Sequence, residues 1–143
     1  MPITPKTGSL FHADLQAGTV FDLVPPVVGK TGGEETVLLT FSGANGAYPV
    51  AGLLMDKSGR LYGTTSEGGA EKCGKVGCGI AFRLDPPAGG RTRWTETVLH
   101  NFGHADDGQY PYSALIANRK GALFGTTYSG GTKGFGTVYK LVP

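Results

Sequence analysis

One short segment of the sequence gathers side chains that could transfer protons. His100, His104, Asp106 and Asp107 lie within residues 100–107. Two imidazoles and two carboxylates near one turn could act as general acid and base in a hydrolase or a lyase. The alternative is a solvated loop, because Asp107 is followed by glycine and Asp-Gly pairs favour turns. His100, His104 and Asp107 are therefore weak catalytic candidates, and we predict no metal site.

The sequence contains no established catalytic motif. No serine has the Gly-x-Ser-x-Gly setting of a hydrolase nucleophile, and the Gly-Lys-Thr at 29–31 lacks the upstream glycine of a phosphate-binding loop. We therefore expect no cofactor and favour a non-catalytic protein, with an enzyme as the alternative. His12 and Asp14, near the start of the chain, are expected to cap an exposed strand edge or to meet their copies in an oligomer.

Aromatic side chains are the second group of candidate binding residues. Those expected at strand ends or in loops are Trp94, Tyr48, Tyr110, Tyr112 and Tyr128. Aromatic faces can hold a sugar ring through CH–π contacts, while carboxylates such as Asp106 and Asp107 hydrogen-bond its hydroxyl groups. The alternative for Trp94, which opens a predicted strand, is a place in the core between two sheets.

Two cysteines are separated by four residues, at positions 73 and 78. Because two of those four residues are glycines, the chain can turn back and join Cys73 to Cys78 as a disulfide. Free thiols and half of a metal site are the alternatives, and the metal site is the weaker one because no second cysteine pair exists. A disulfide would favour an exported protein.

The composition indicates a turn-rich β protein. Glycine accounts for 25 of 143 residues, and charged residues for 17%. This much glycine opposes long helices, because each interior glycine costs roughly 0.5–1 kcal/mol relative to alanine. The net charge of +2, with scattered Lys and Arg, gives no basic stripe for nucleic acid. No apolar run is long enough to span a membrane, and the start of the chain lacks an apolar signal core.

Internal repeats organise the chain. Four segments, named a to d, recur in one order at intervals of 57–62 residues. Segment a is GTVFDLVPP at 18–26, GIAFRLDPP at 79–87 and GTVYKLVP at 136–143. Segment b occurs at 36–41 and 97–102, segment c at 49–54 and 111–116, and segment d at 61–65 and 123–127. All are rich in Val, Leu, Thr and aromatic residues and are bounded by Gly, Pro or Asp, as strands are.

Four antiparallel strands at this period predict an all-β fold made of propeller blades. The Pro-Pro pairs after segment a are expected to carry the chain between sheets, so that each blade has the order b-c-d-a. The predicted parts of the single domain 1–143 are a half blade at 8–24, opened by a worn segment d at 8–11, and blades at 36–85 and 96–142. Gly63 and Gly125 inside segment d are predicted to mark a bulge or a close backbone approach.

Two and a half blades do not close a ring by themselves, since propellers have about 4–8 blades. We therefore expect a homo-oligomer, with a dimer favoured, that completes the ring and removes exposed strand edges.

Several of these segments resemble the repeats of a known family. LYGTTSEGG at 61–69, LFGTTYSGG at 123–131 and WTETVL at 94–99 are similar to the GloVer tandem repeats of bacterial proteins. The Asp107-Gly-x-x-Pro111 pattern and the cysteine pair before segment a also fit. The resemblance covers nearly the whole chain from Gly8. It implies a propeller-like fold, often in exported or surface-anchored proteins, and implies no established activity.

The sequence therefore predicts a non-catalytic binding or structural module, with carbohydrate as the favoured ligand. A hydrolase or lyase that uses the His–Asp segment is one alternative, and a repeat fragment or engineered assembly without activity of its own is another. The cysteine pair and the resemblance favour an extracellular or periplasmic location. A cytoplasmic location is the alternative, because no signal segment is seen.

Overall fold

Strands make up all the regular structure of the part of the chain described below. The computed structural model describes residues 17–71, 73–104 and 106–143, together with the backbone of residues 6–8. Across these residues no helix is present, which confirms the all-β class predicted from the sequence. The strands are β1 (Lys6–Gly8), β2 (Thr19–Val24), β3 (Glu34–Thr40), β4 (Leu54–Met55), β5 (Leu61–Thr65), β6 (Ile80–Asp85), β7 (Thr95–Asn101), β8 (Gly108–Gln109), β9 (Ile116–Ala117), β10 (Leu123–Thr126), β11 (Ser129–Gly130) and β12 (Val138–Leu141).

Three small antiparallel sheets follow one another along the chain. The first has the order β1-β2-β3, the second β4-β5-β6-β7 and the third β9-β10-β12, while β8 and β11 pair as a separate ribbon. The second sheet is the complete one, and its strands come from segments c, d, a and b in that order. Among the described residues, the first sheet lacks the c strand and the third lacks the b strand.

The predicted strand order b-c-d-a is therefore wrong, and the observed order is c-d-a-b. The link between segments a and b is a hairpin within one sheet, since β6 pairs with β7 up to Asp85↔Thr95 and β2 pairs with β3 up to Val24↔Glu34. Proline fixes φ near a value that suits a turn, so a Pro-Pro pair fits a hairpin loop as well as a crossover. The chain instead changes sheet between segments b and c. Among the described residues, the first and third sheets consequently hold three strands each.

The first strand lies at the start of the chain. It pairs with β2 through Lys6↔Phe21 and Gly8↔Thr19. Of the worn segment d predicted at 8–11, only Gly8 is among the described residues. Residues 9–16, which include His12 and Asp14, lie outside the described residues.

Neighbouring sheets pack against each other through their apolar faces. Val20 of the first sheet lies in one buried cluster with Leu61, Phe82 and Leu84 of the second. Tyr62, on the other face of the second sheet, clusters with the buried Leu115 and Leu123 beside the third sheet. The partly buried residues that pack against this cluster are Leu54, Leu99, Tyr139 and Leu141. Each sheet is too small to enclose a core alone, so burial between sheets supplies the apolar contact that stabilises all three.

Two tyrosines join the sheets through their main chain. Tyr48 donates its N–H to the carbonyl of Ala17, just before β2, and its carbonyl accepts the N–H of Ser66, just after β5, at 2.8 and 3.0 Å. Tyr110 forms the same bridge between the second sheet and the third. Its N–H donates to the Cys78 carbonyl at 2.9 Å, and its carbonyl accepts the Tyr128 N–H at 3.0 Å. Both tyrosines have a φ of 57°, in the left-handed region that side chains disfavour.

The glycine of the Leu-aromatic-Gly-Thr-Thr motif makes room for an aromatic ring. Gly63 pairs with Phe82, and a Cβ on Gly63 would lie 2.6 Å from the Phe82 ring and 2.7 Å from Leu53. Gly125 pairs with Tyr139 in the same way, and a Cβ there would collide with the Tyr139 hydroxyl. The sequence analysis predicted a bulge or a close backbone approach at these two glycines, whereas the group that approaches each of them is a side chain.

The second threonine of the same motif closes the loop that follows segment d. Thr65 is fully buried, and its hydroxyl donates to the Glu67 carbonyl at 2.8 Å. Thr127 makes the equivalent bond to the Ser129 carbonyl at 3.0 Å and also accepts the Thr137 N–H at 2.9 Å. Two residues of the motif therefore have a structural role in both repeats. The glycine leaves room for an aromatic ring, and the second threonine bonds the loop after segment d.

We predict that Gly63→Ala lowers the free energy of unfolding by about 1–3 kcal/mol, because the new methyl group overpacks the Phe82 and Leu53 contact. The matched control is Gly52→Ala, since a Cβ at Gly52 meets no atom within 4 Å. Chemical denaturation of both variants measures the difference. Equal stability of the two would contradict the packing described for the motif.

Candidate functional site

A cleft between two sheets holds the tryptophan of the chain. The cleft has a volume of about 510 Å³ and lies between β3, the outer strand of the first sheet, and the residues that lead into β7. Its lining consists of Thr36, Val37, Leu38, Leu39, Thr40, Thr92, Arg93 and Trp94. The hairpin order c-d-a-b creates this site, because it places the turn before β7 beside the outer strand of the preceding sheet.

Trp94 serves the core and the cleft at once. It is half-buried and packs against the cluster between the first and second sheets, as the core interpretation predicted. It also lines the cleft, and its indole N–H has no hydrogen-bond acceptor among the described residues. Arg93 beside it is exposed and forms no ion pair within the described part of the chain. An aromatic face, a guanidinium and threonine hydroxyls thus line one concave surface.

Two of the other aromatic candidates form a pair on the surface. The rings of Tyr112 and Tyr128 meet edge to face, with centroids 5.8 Å apart and planes at 85°. Both side chains are exposed. Tyr110 is half-buried, and its hydroxyl donates a hydrogen bond to the Cys73 carbonyl at 3.4 Å. Trp94 lines the cleft described above, and none of these three tyrosines is among that cleft's lining residues.

The acid–base candidates are only partly brought together. His100 Nε2 lies 2.6 Å from Asp107 Oδ2, and the other oxygen of Asp107 accepts the N–H of Gly108 at 2.8 Å. His104 and Asp106 are exposed, and His104 meets Asp107 only through its main-chain carbonyl, which accepts the Asp107 N–H at 2.9 Å. The structure therefore gives one His–Asp contact that anchors a loop, with His104 outside it.

A buried hydroxyl beside this contact is a feature that the sequence analysis missed. Tyr139 packs edge to face on Phe102, with centroids 4.8 Å apart, and its hydroxyl is buried without a hydrogen-bond partner among the described residues. Burial raises the pKa of Tyr139 to about 12, and the negative charge of Asp107 adds to the rise. The signal was present in the repeat alignment, where Tyr139 takes the place of Phe82.

The cysteine pair forms a disulfide, as predicted. Cys73 and Cys78 are bonded, and Cys78 is buried with Ala81 and Phe102. Gly103 lies so close that a Cβ there would collide with the Cys78 sulfur. The disulfide therefore fixes the loop before β6 against the end of β7, and it favours an oxidising compartment outside the cytoplasm.

Among residues 17–71, 73–104 and 106–143, no three His, Cys, Asp or Glu side chains are grouped to hold a metal ion. In the described part of the chain, no helix has the length and apolar character that a membrane crossing requires.

We predict that Tyr139→Phe raises the free energy of unfolding by about 1 kcal/mol, because it removes a buried hydroxyl that no described residue hydrogen-bonds. Tyr62→Phe is the matched control and should lower stability, since the Tyr62 hydroxyl donates to Asp56 Oδ2 at 3.1 Å. Denaturant titration of both variants at neutral pH measures the two signs. Loss of stability in Tyr139→Phe would contradict the buried, unpaired hydroxyl.

Tyr139→Phe also tests a pH dependence. The folded state holds the Tyr139 proton up to a pKa of about 12, whereas in the unfolded chain tyrosine ionises near its ordinary pKa of 10.0. Ionisation of this group therefore leaves the free energy of unfolding unchanged below pH 10 and lowers it as pH rises toward 12. Tyr139→Phe should therefore lose less stability over that interval than the unmodified chain.

The stacked antiparallel sheets, the internal repeat and the recurring Gly-Thr-Thr contacts define a class of all-β tandem-repeat proteins. The sequence profile of the Gloeobacter/Verrucomicrobia repeat matches residues 6–143. The chain therefore belongs to the Gloeobacter/Verrucomicrobia repeat family, which confirms the resemblance noted from its motifs. Comparison with curated proteins and with solved structures gave no significant match.

Proposed function

We propose that this chain is a non-catalytic binding module, and that the cleft at Trp94 holds a saccharide. The observation that carries the proposal is the joint presence of Trp94 and Arg93 on one concave surface of about 510 Å³ between two sheets. Binding sites for small molecules are usually concave and combine an apolar or aromatic wall with a few polar groups.

The chemistry of the cleft suits a sugar ring. The half-buried Trp94 indole is held by the core, so it offers a fixed face for CH–π contact. Its N–H, which has no acceptor among the described residues, can donate to a ring or hydroxyl oxygen. Arg93 offers a planar set of donors to neighbouring hydroxyls or to a carboxylate. Thr36 and Thr40, on the facing strand, add hydroxyl groups that both donate and accept.

The proposal includes a propeller-like arrangement of the repeats. Packing of the complete c-d-a-b sheet between two three-stranded sheets through its apolar faces supports it, because propeller blades pack face to face. A homo-oligomer, in its simplest form a dimer, would present several equivalent clefts and so raise the avidity of a weak site. The disulfide supports an extracellular or periplasmic setting, where glycans are accessible.

A hydrolase or lyase is the second candidate, and the 2.6 Å contact between His100 and Asp107 is the observation that favours it. Among the described residues, the contact brings no second imidazole to the pair, because His104 meets Asp107 only through its main-chain carbonyl. Any glycan-cleaving activity that disappears in His100→Gln, while the fold persists, would favour the enzyme over the binding module.

We predict that the chain binds glycans on an array, and that Arg93→Ala weakens the binding at least about tenfold. Arg91→Ala is the matched control, because Arg91 is an exposed arginine of the same turn that does not line the cleft. Trp94→Phe keeps an aromatic group in the core and should weaken binding while leaving the fold intact. Calorimetry with the best array ligand measures both effects.

Two results would contradict the saccharide cleft. One is equal binding by Arg93→Ala, Trp94→Phe and Arg91→Ala, and the other is silence of the unmodified chain on the array. Loss of binding in Tyr112→Ala or Tyr128→Ala alone would move the site to the exposed tyrosine pair.

A further inference from the structure

We propose that two copies of this chain dock head to tail, with the outer face of the third sheet of one copy against the outer face of the first sheet of the other. We name the outer face of β9-β10-β12, with Ile116, Val138 and Lys140, the tail face. The outer face of β1-β2-β3, with Phe21, Leu23 and Glu35, is the head face. The inference deepens the homo-oligomer of the proposed function, and it does not depend on whether the cleft binds a saccharide.

The tail face exposes apolar residues at positions that are buried one repeat earlier. Side chains alternate along β12, so Tyr139 and Leu141 pack toward the second sheet while Val138 and Lys140 point away from it. Val138 is 81% exposed, although its counterpart Ala81 in the second sheet is completely buried. Ile116, on the neighbouring strand β9, is 68% exposed.

The head face shows the same contrast. Val20 of β2 packs toward the second sheet, so alternation turns Phe21 and Leu23 to the opposite face. Leu23 is 40% exposed, whereas its counterpart Leu84 in the second sheet is completely buried. Phe21 is half-buried, in contrast to the fully buried Phe82.

The two faces match each other in the way that adjacent sheets match within the chain. Between the first and second sheets, Val20 packs in one cluster with Phe82 and Leu84. Val138 occupies the repeat position of Val20. Docking of tail onto head would therefore repeat a contact that the chain already makes.

The head-face counterparts of Phe82 and Leu84 are Phe21 and Leu23. Charge supports the same orientation, since Lys140 lies on the tail face and Glu35 on the head face opposite Leu23. An interface of this kind is heterologous, so it leaves one head and one tail free unless the copies close into a ring. Two tail faces brought together would instead place like charges against each other.

The test is self-association of the full chain, measured by light scattering and sedimentation across protein concentration. We expect oligomers from the unmodified chain, and Val138→Asp or Leu23→Asp should each shift the association midpoint at least about tenfold higher. Val28→Asp is the matched control, because Val28 is a fully exposed valine in the turn between β2 and β3. Far-ultraviolet circular dichroism verifies that each variant keeps its strands.

Mixing distinguishes a head-to-tail contact from a symmetric one. Val138→Asp retains a working head and Leu23→Asp a working tail, so an equimolar mixture should form a one-to-one complex that neither variant forms alone. If Leu23→Asp still self-associates as the unmodified chain does, the contact is tail to tail and the proposal fails. An unmodified chain that stays monomeric at every concentration also overturns it, as a partner other than a second copy would then cover these faces.

Discussion

The main-chain bridge at the two Tyr-Pro steps is the interaction on which the stacking of sheets depends. A non-glycine residue in the left-handed region costs about 1–2 kcal/mol, so Tyr48 and Tyr110 keep this conformation only because their surroundings fix it. Each tyrosine bonds one sheet through its N–H and the next through its carbonyl. The prolines that follow, Pro49 and Pro111, are completely buried, so each bridge is also anchored by packing.

These bridges fix one end of the stack of sheets. They tie the loop between segments b and c to the loop after segment d, at the end of the second sheet where Thr65 pairs with Ile80. The Trp94 cleft lies between β3 and the start of β7, near the other end, where Asp85 pairs with Thr95. A side-chain bond from Asn45 to Glu96 at 2.8 Å holds the second sheet against the first, and burial raises the pKa of Glu96 while the Asn45 bond opposes the rise.

The repeats in the sequence predicted the all-β class and the positions of most strands, and the cysteine spacing predicted the disulfide. These features were predictable because each depends on residues that are close in the sequence. Sheet order was not predictable in the same way, since proline after segment a is compatible with both a hairpin and a crossover. The bridging role of Tyr48 and Tyr110 was not predictable from side-chain type, because main-chain N–H and carbonyl groups form the bridges. Of the residues that line the cleft, the sequence analysis named only Trp94. Arg93 reaches the cleft because segments a and b form a hairpin, where the sequence analysis expected a crossover between sheets.

Hydrogen exchange of the tyrosine amides tests the central claim most directly. If the bridges hold the sheets together, the N–H groups of Tyr48 and Tyr110 should exchange only when the whole chain unfolds, with the same denaturant dependence as Phe82 in the central sheet. The Lys30 amide, bonded to the Val27 carbonyl in an exposed turn, serves as the reference for local opening. Exchange of the two tyrosine amides as fast as that of Lys30 would contradict the account.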